Sequence, residues 1–205
     1  MSEYNRDQWE ALLMVQYYLE GLPASEIERL RASIGPYLQF RSEVSQFQRE
    51  FLSEICTQAC FTTRQSACCN RDGIATFFAD VVINALFSSE EDLNRIKSAL
   101  VNDPGGFKCI YLGKKGCLWR LKPIVCEMFL CDRAKAAVLE GDRNRGDRWQ
   151  ELLLKEKQFT WPDKPILFDE LEELFLQASL KSPLMYCHLS PGLLRVKAQR
   201  KRGRR

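Results

Sequence analysis

A mainly α-helical domain with one small β-hairpin is the fold class this sequence predicts. Apolar residues recur at spacings of three and four over most of the chain. Only 107–120 has the alternation and the central turn residues of two paired strands. Eight of the nine cysteines fall into two groups, Cys56, Cys60, Cys68, Cys69 and Cys109, Cys117, Cys126, Cys131, with Cys187 apart. So regular a grouping in a helical chain asks for a chemical reason.

The elements follow in order. Trp9, Leu12, Leu13 and Tyr17 predict a first helix. Pro23 opens a second, short segment with Ile27 and Leu30 on one face. A longer stripe, Tyr37, Phe40, Val44, Phe47, Phe51 and Ile55, predicts an amphipathic helix of several turns. Leu52, Cys56 and Cys60 are four apart and would line one side of it. The polar stretch 65–73 should break that helix. The apolar run 74–87 reads as a buried helix, although periodicity alone does not exclude a strand. Ser88-x-x-Glu91 has the form of a capping box opening a helix to about Val101, and Asn102-Asp103-Pro104-Gly105-Gly106 is a stop. In 107–120, Phe107, Cys109 and Tyr111 face Cys117 and Trp119 across Gly113-Lys114-Lys115-Gly116. Pro123 suits the first turn of a helix running through Cys126 and Cys131 toward Gly141. A charged loop over 142–147, a helix over 149–159, a rigid break over 161–165 and a last helix through Phe168, Leu171, Leu174, Phe175 and Ala178 complete the chain. No internal repeat occurs.

These elements divide into an N-terminal helical region (1–50), a cysteine-cluster region (51–141), a C-terminal helical region (142–194) and a basic tail (195–205). The 205 residues, 45% of them hydrophobic, suffice for a packed core without disulfide staples. The N-terminus is polar and acidic where a signal peptide is positive and then apolar, and no stretch is apolar enough to span a bilayer. The expected location is therefore the cytoplasm, without membrane association. There thiols stay reduced, and clustered cysteines favour metal binding or redox chemistry over structural disulfides. The net charge of +3 hides an asymmetry, because 195–205 holds seven basic residues and no acid. That tail could engage nucleic acid through counterion release, or simply be solvated; aromatic residues for base stacking are missing from it. The rest of the chain leaves room for a protein partner of unspecified chemistry.

A thiolate is a soft ligand for zinc and the usual ligand of iron–sulfur clusters. Cys56 and Cys60 are one helical turn apart, Cys68 and Cys69 follow in a loop, Cys109 and Cys117 bracket the hairpin, and Cys126 and Cys131 stand near a helix start. Folding can thus gather Cys56, Cys60, Cys68, Cys69, Cys109, Cys117, Cys126 and Cys131 as metal ligands. Cys56, beside the apolar stripe, also suits plain packing, as does Cys187. The expected domain is therefore organised around a cysteine-rich metal site.

The run Gly116-Cys117 and Lys122-Pro123-Ile124-Val125-Cys126, with Cys109 and Cys131 on either side, resembles the second half of the YkgJ-type cysteine-cluster family, which is described as zinc- or iron-chelating. Cys60 and Cys68-Cys69 match its first element loosely, stretched here to C-x3-C-x7-C-C. Lys122 stands where the family has arginine, which removes a planar two-pronged donor. The resemblance covers about 56–131 and implies metal chelation without naming a reaction. A related cysteine pattern occurs in flagellin lysine methylases, where an iron–sulfur cluster is implied.

No C-x2-C knuckle occurs. That leans toward an iron–sulfur cluster over zinc, since cluster sites accept more varied spacing. Two functions stay open: a metal-binding or metal-handling protein, and an iron–sulfur redox enzyme or modification factor. The single histidine, His188, neighbours Cys187, and adjacent side chains rarely face each other as a nucleophile and base must. Gly113-Lys114-Lys115-Gly116 lacks the frame of a phosphate loop, and no dinucleotide fingerprint is present.

Overall fold

The computed structural model describes residues 1–71, 74–160 and 166–185. Eight α-helices, two π-helical segments and one two-stranded hairpin make up these residues. Cys187, His188, the 161–165 break and the basic tail lie outside them.

Helix α1 (Glu3–Glu20) starts at Ser2, whose Oγ accepts from the Asn5 N–H at 3.1 Å. It packs on α3 and α4 through Asn5, Gln8, Ala11, Leu12, Val15 and Leu19. Of the four residues expected to form this face only Leu12 is fully buried; Tyr17 is 79% exposed. The face is rotated because Tyr18, not Tyr17, reaches the core and meets Phe175 ring to ring, tilted, at 4.4 Å.

Helix α2 (Ala24–Phe47) runs straight through Pro36, where the sequence suggested two separate segments. A proline inside a helix costs roughly 3 kcal/mol. Pro36 lies on the solvent side, and Ile34, Tyr37, Phe40, Val44 and Phe47 opposite it are buried. Each such side chain contributes about 1.5–3 kcal/mol, so the buried stripe outweighs the proline.

From Gln48 to Phe61 the chain continues as a π-helix. Its hydrogen bonds span five residues rather than four, as in Thr62 N–H to Thr57 O at 2.8 Å. Residues four apart therefore lose their common face. Leu52 is buried, Cys56 exposed and Cys60 half-buried, which corrects the single-sided row expected of them.

The apolar run settles as a helix, α3 (Phe78–Phe87), preceded by extended residues 74–77. Its buried Asp80 accepts from Phe77 N–H (3.1 Å) at its own helix start and from Ile124 N–H (3.1 Å) at the start of α5. Helix α4 (Glu90–Val101) is capped one residue later than expected: Ser89 Oγ accepts from Asp92 N–H at 3.2 Å, while Ser88 closes α3.

Strands β1 (Leu112–Gly113) and β2 (Gly116–Cys117) pair antiparallel with Leu112 opposite Cys117. The turn is the predicted one, and Gly116 sits at φ +114°, a conformation side chains disfavour. The strands are much shorter than 107–120, and Phe107 is solvent-exposed.

The helix expected from Pro123 to Gly141 is broken into α5 (Ile124–Met128), α6 (Asp132–Lys135) and a π-helical turn, Ala136–Glu140. The region expected as a charged loop begins α7 (Arg143–Thr160). Asp142 makes this start, accepting from the N–H groups of Asn144 and Arg145 at 3.0 and 3.2 Å. Helix α8 (Leu167–Gln177) closes on α3, with Phe175 edge-on to Phe78 at 5.0 Å. No helix among the described residues is long and apolar enough to cross a membrane.

Candidate metal centre

The eight cysteines of the two sequence groups are free thiols, each exposed or half-buried. Cys56 is on the solvent side of the π-helix rather than in the core, so plain packing does not account for it. Cys60 ends that helix, Cys68 and Cys69 follow in a tight loop, and Cys109 precedes the hairpin that carries Cys117. Cys126 lies in α5 and Cys131 occupies the N-cap position of α6.

The loop winds around Cys60. Gln65 and Ser66 N–H donate to the Cys60 carbonyl (2.9 and 3.2 Å), and Ala67 N–H reaches its sulfur at 3.4 Å. Arg64 and Ser66 adopt positive φ, a strained state for residues other than glycine. Arg71 then fixes the loop to the end of α4. Its guanidinium bridges both carboxylate oxygens of Asp103 (2.6 and 2.7 Å), and its Nε donates to Gly106 O at 2.9 Å. That guanidinium holds the Asp103 carboxyl well below the usual carboxylate range. With the loop so placed, Cys109 N–H donates to Cys69 O at 3.1 Å. The Cys68–Cys69 turn is thereby stitched to the hairpin.

Burial raises the thiols of Cys109 and Cys126 and lifts Cys117 to about 11, against a smaller opposing pull from neighbouring backbone N–H groups. The adjoining thiols of Cys68 and Cys69 act on each other, raising the first and lowering the second.

The thiols also act on one another through their charges. Cys69 feels Cys109, Cys117 and Cys126; Cys56 feels Cys131, Cys68 and Cys60. Among the described residues, no three His, Cys, Asp or Glu side chains stand at the spacing of a formed coordination sphere. The donor chemistry nonetheless suits a soft ion, since the side chains are thiols and a cation is at hand.

That cation is Lys122, which the sequence marks only as a lost arginine fork. Its ammonium sits 3.3 Å from the buried Glu127 carboxylate and adds a minor pull toward the thiolate at Cys56, Cys68, Cys117 and Cys126. Its backbone carbonyl accepts from Arg41 at 2.6 Å, and Arg41 also donates to Tyr37 Oη at 2.8 Å. Gln48 donates to Glu127 O at 2.7 Å. Helix α2 and the first π-helical segment therefore position the Lys122–Glu127 stretch. A cation one turn before Cys126 was the available signal.

A cavity of about 280 Å³ lies between Tyr4, Gln8, Ala75, Thr76, Pro183 and Leu184. Gln8 is 2% exposed, and its Oε1 accepts from Tyr111 Oη at 3.4 Å. Tyr4 Oη, Gln8 Nε2 and Thr76 Oγ1 have no aligned hydrogen-bond partner among the described residues. Burial pushes the Tyr4 phenol up to about 12.

No protein-family model, no curated protein and no solved structure matches this chain.

Proposed function

We propose that this protein binds metal through its clustered cysteine thiolates, as an iron–sulfur cluster in the first place and as zinc in the second. The observation that carries the reading is the loop that winds around Cys60, with Ala67 N–H on its sulfur at 3.4 Å, and the bond from Cys109 N–H to Cys69 O at 3.1 Å, which joins the backbone of the first cysteine group to that of the second. A bound ion would hold the sulfurs as thiolates against the burial that keeps them protonated. The eight free thiols and the resemblance to the YkgJ-type family support the same reading. When bound, an iron–sulfur cluster supplies one-electron chemistry, whereas zinc supplies a fixed charge and a cross-link.

Elemental analysis of protein purified without air tests this. The expected result is stoichiometric iron with a broad thiolate-to-iron absorption. A colourless protein with stoichiometric zinc moves the centre to the second choice. Neither metal above background, with all eight thiols open to alkylation, would falsify the reading.

A second reading, an iron–sulfur redox enzyme or modification factor, is favoured by the cavity between Tyr4, Gln8 and Thr76. Gln8 Nε2 in its wall has no hydrogen-bond partner among the described residues, and buried polar atoms ordinarily find one. A reversible one-electron couple that shifts when Gln8→Leu closes the cavity would support it. A redox-silent centre sinks it.

A further inference from the structure

We infer that residues 60–71 and 107–135 form a basic surface that binds single-stranded nucleic acid. The inference uses cations and exposed rings, not thiols, and stands whether or not the cysteines hold metal.

Charge sets these two stretches apart. They hold nine basic residues and two acids, Glu127 and Asp132. The rest of the chain before Arg195 holds 25 acids and 14 basic residues, so the surface is opposite in sign to the body that carries it. Three of the nine cations are paired: Arg71 with Asp103, Lys122 with Glu127 and Lys135 with Asp132. The other six, Arg64, Lys108, Lys114, Lys115, Arg120 and Arg133, are exposed and form no ion pair among the described residues. Lys108 and Arg120 donate to backbone carbonyls, of Ser66 at 3.3 Å and of Phe87, which leaves their charge uncompensated.

Folding brings the two stretches together. Asn70 and Lys108 form an antiparallel bridge, Arg71 Nε donates to Gly106 O at 2.9 Å, and Cys109 N–H donates to Cys69 O at 3.1 Å. These bonds lay the loop that carries Arg64 beside Phe107 and Lys108. The hairpin that follows turns at Lys114 and Lys115. Helix α6, which carries Arg133, packs on the π-helical segment that leads into the loop. Cations so gathered suit a polyanion, because each phosphate they neutralise releases bound counterions.

Exposed rings decide between a nucleic acid and an acidic protein. Of the twelve phenylalanines only Phe107 and Phe129 are exposed, at 66% and 54%, and both lie in these stretches. They forgo the burial that the other ten obtain in whole or in part. The Lys108 ammonium stands 5.9 Å from the centre of the Phe107 ring, so a cation and an open ring face solvent side by side. A single strand presents the matching pair: its phosphates meet the cations while an unstacked base lies on the ring. A carboxylate-rich peptide has no flat face to offer, and the bases of a duplex are already stacked on each other.

Fluorescence anisotropy of short labelled oligo(U) and oligo(dT) with the full-length chain tests this. Binding of one or both should weaken as salt rises, and comparison of the two separates RNA from DNA. Lys114→Gln with Lys115→Gln should lower the slope of log affinity against log salt by about 1.4, since each single-strand phosphate contact contributes about 0.7. Phe107→Ala should weaken binding about fivefold or more at every salt concentration and leave the slope unchanged. All three side chains are exposed, so these changes leave the core intact. Replacing Arg200, Lys201 and Arg202 by glutamine separates this surface from the basic tail, and the effects at Lys114, Lys115 and Phe107 should survive it. Binding that falls with the tail variant and ignores the hairpin and Phe107 variants overturns the inference, as does no binding to either strand. Equal affinity for duplex also overturns it. So does binding of polyglutamate that is indifferent to Phe107→Ala, which would make the surface a dock for an acidic protein. None of these outcomes bears on the metal content of the chain, which is read separately.

Discussion

Around α1, α3, α4 and α8, the residues Leu12, Val15, Phe78, Ile96, Leu100 and Phe175 are completely buried, and side chain meets side chain. Along 60–71 and 107–135 the elements shrink to two-residue strands and helices of four or five residues. Tyr111, Trp119 and Ile124 tie that face to the core. Its shape otherwise depends on single hydrogen bonds, such as Cys109 to Cys69, and on ion pairs, such as Arg71 to Asp103. A packed core is over-determined by many weak contacts, so loss of one is local. A face held by a few polar links has no such reserve, and a metal cross-link would supply it.

Metal removal should separate the two regions most sharply. Metal bound in the folded state only can add about 10 kcal/mol or more to the segment it cross-links. Stripping it by chelation should raise amide exchange over 60–71 and 107–118 by several orders of magnitude. Exchange in α1, α3 and α4 should change far less. Equal loosening of both regions would break the contrast. Loading should also fall steeply with falling pH, because protons compete for thiols that burial already favours protonated.

Phe175→Ala makes the reverse cut. Phe175 is fully buried between Tyr18 and Phe78, and its removal should cost about 3–5 kcal/mol in denaturant unfolding. The loss should be the same with and without metal. A metal-dependent loss would mean that the regions fold as one.

Asp80 joins the two regions, and its pH dependence measures the joint. Burial lifts its carboxyl from 3.8 to about 7. Between those values the folded chain holds a proton that the unfolded chain has released. The contribution of Asp80 to stability is therefore largest below about pH 4 and declines as pH rises toward 7. The slope is at most about 1.4 kcal/mol per pH unit. Asp80→Asn should flatten that slope in urea midpoints measured from pH 4.5 to 7.5; an unchanged slope would place the titration elsewhere.

The smallest effect belongs to the turn. Gly116→Ala has room for its methyl group but not the backbone conformation, and should cost about 1–2 kcal/mol. Metal-loaded protein should lose less than metal-free protein, since the ion would hold Cys117 in place.

Much of the fold was legible from periodicity. The helical class, the α8 stripe, the stop at Asn102–Gly106 and the Gly113–Gly116 turn follow from local chemistry that each segment carries alone. Where the reading failed, a distant partner decided. Tyr18 rather than Tyr17 turns inward because Phe175 is there to receive it. Pro36 does not end its helix because the opposite face is covered by core residues such as Phe168 and by Phe159. Spacing of four made Cys56 and Cys60 look aligned with Leu52, and π-helical geometry turned them apart.

By itself the sequence determined the inventory: nine cysteines, one histidine, a helical periodicity and a basic end. These are properties of composition and of neighbours a few residues apart. Which distant segments meet was decided by the tertiary structure alone. Cys69 O accepts from Cys109 N–H, a bond between residues that only folding brings together. Lys122 is set in the same way, its carbonyl by Arg41 and its ammonium by Glu127.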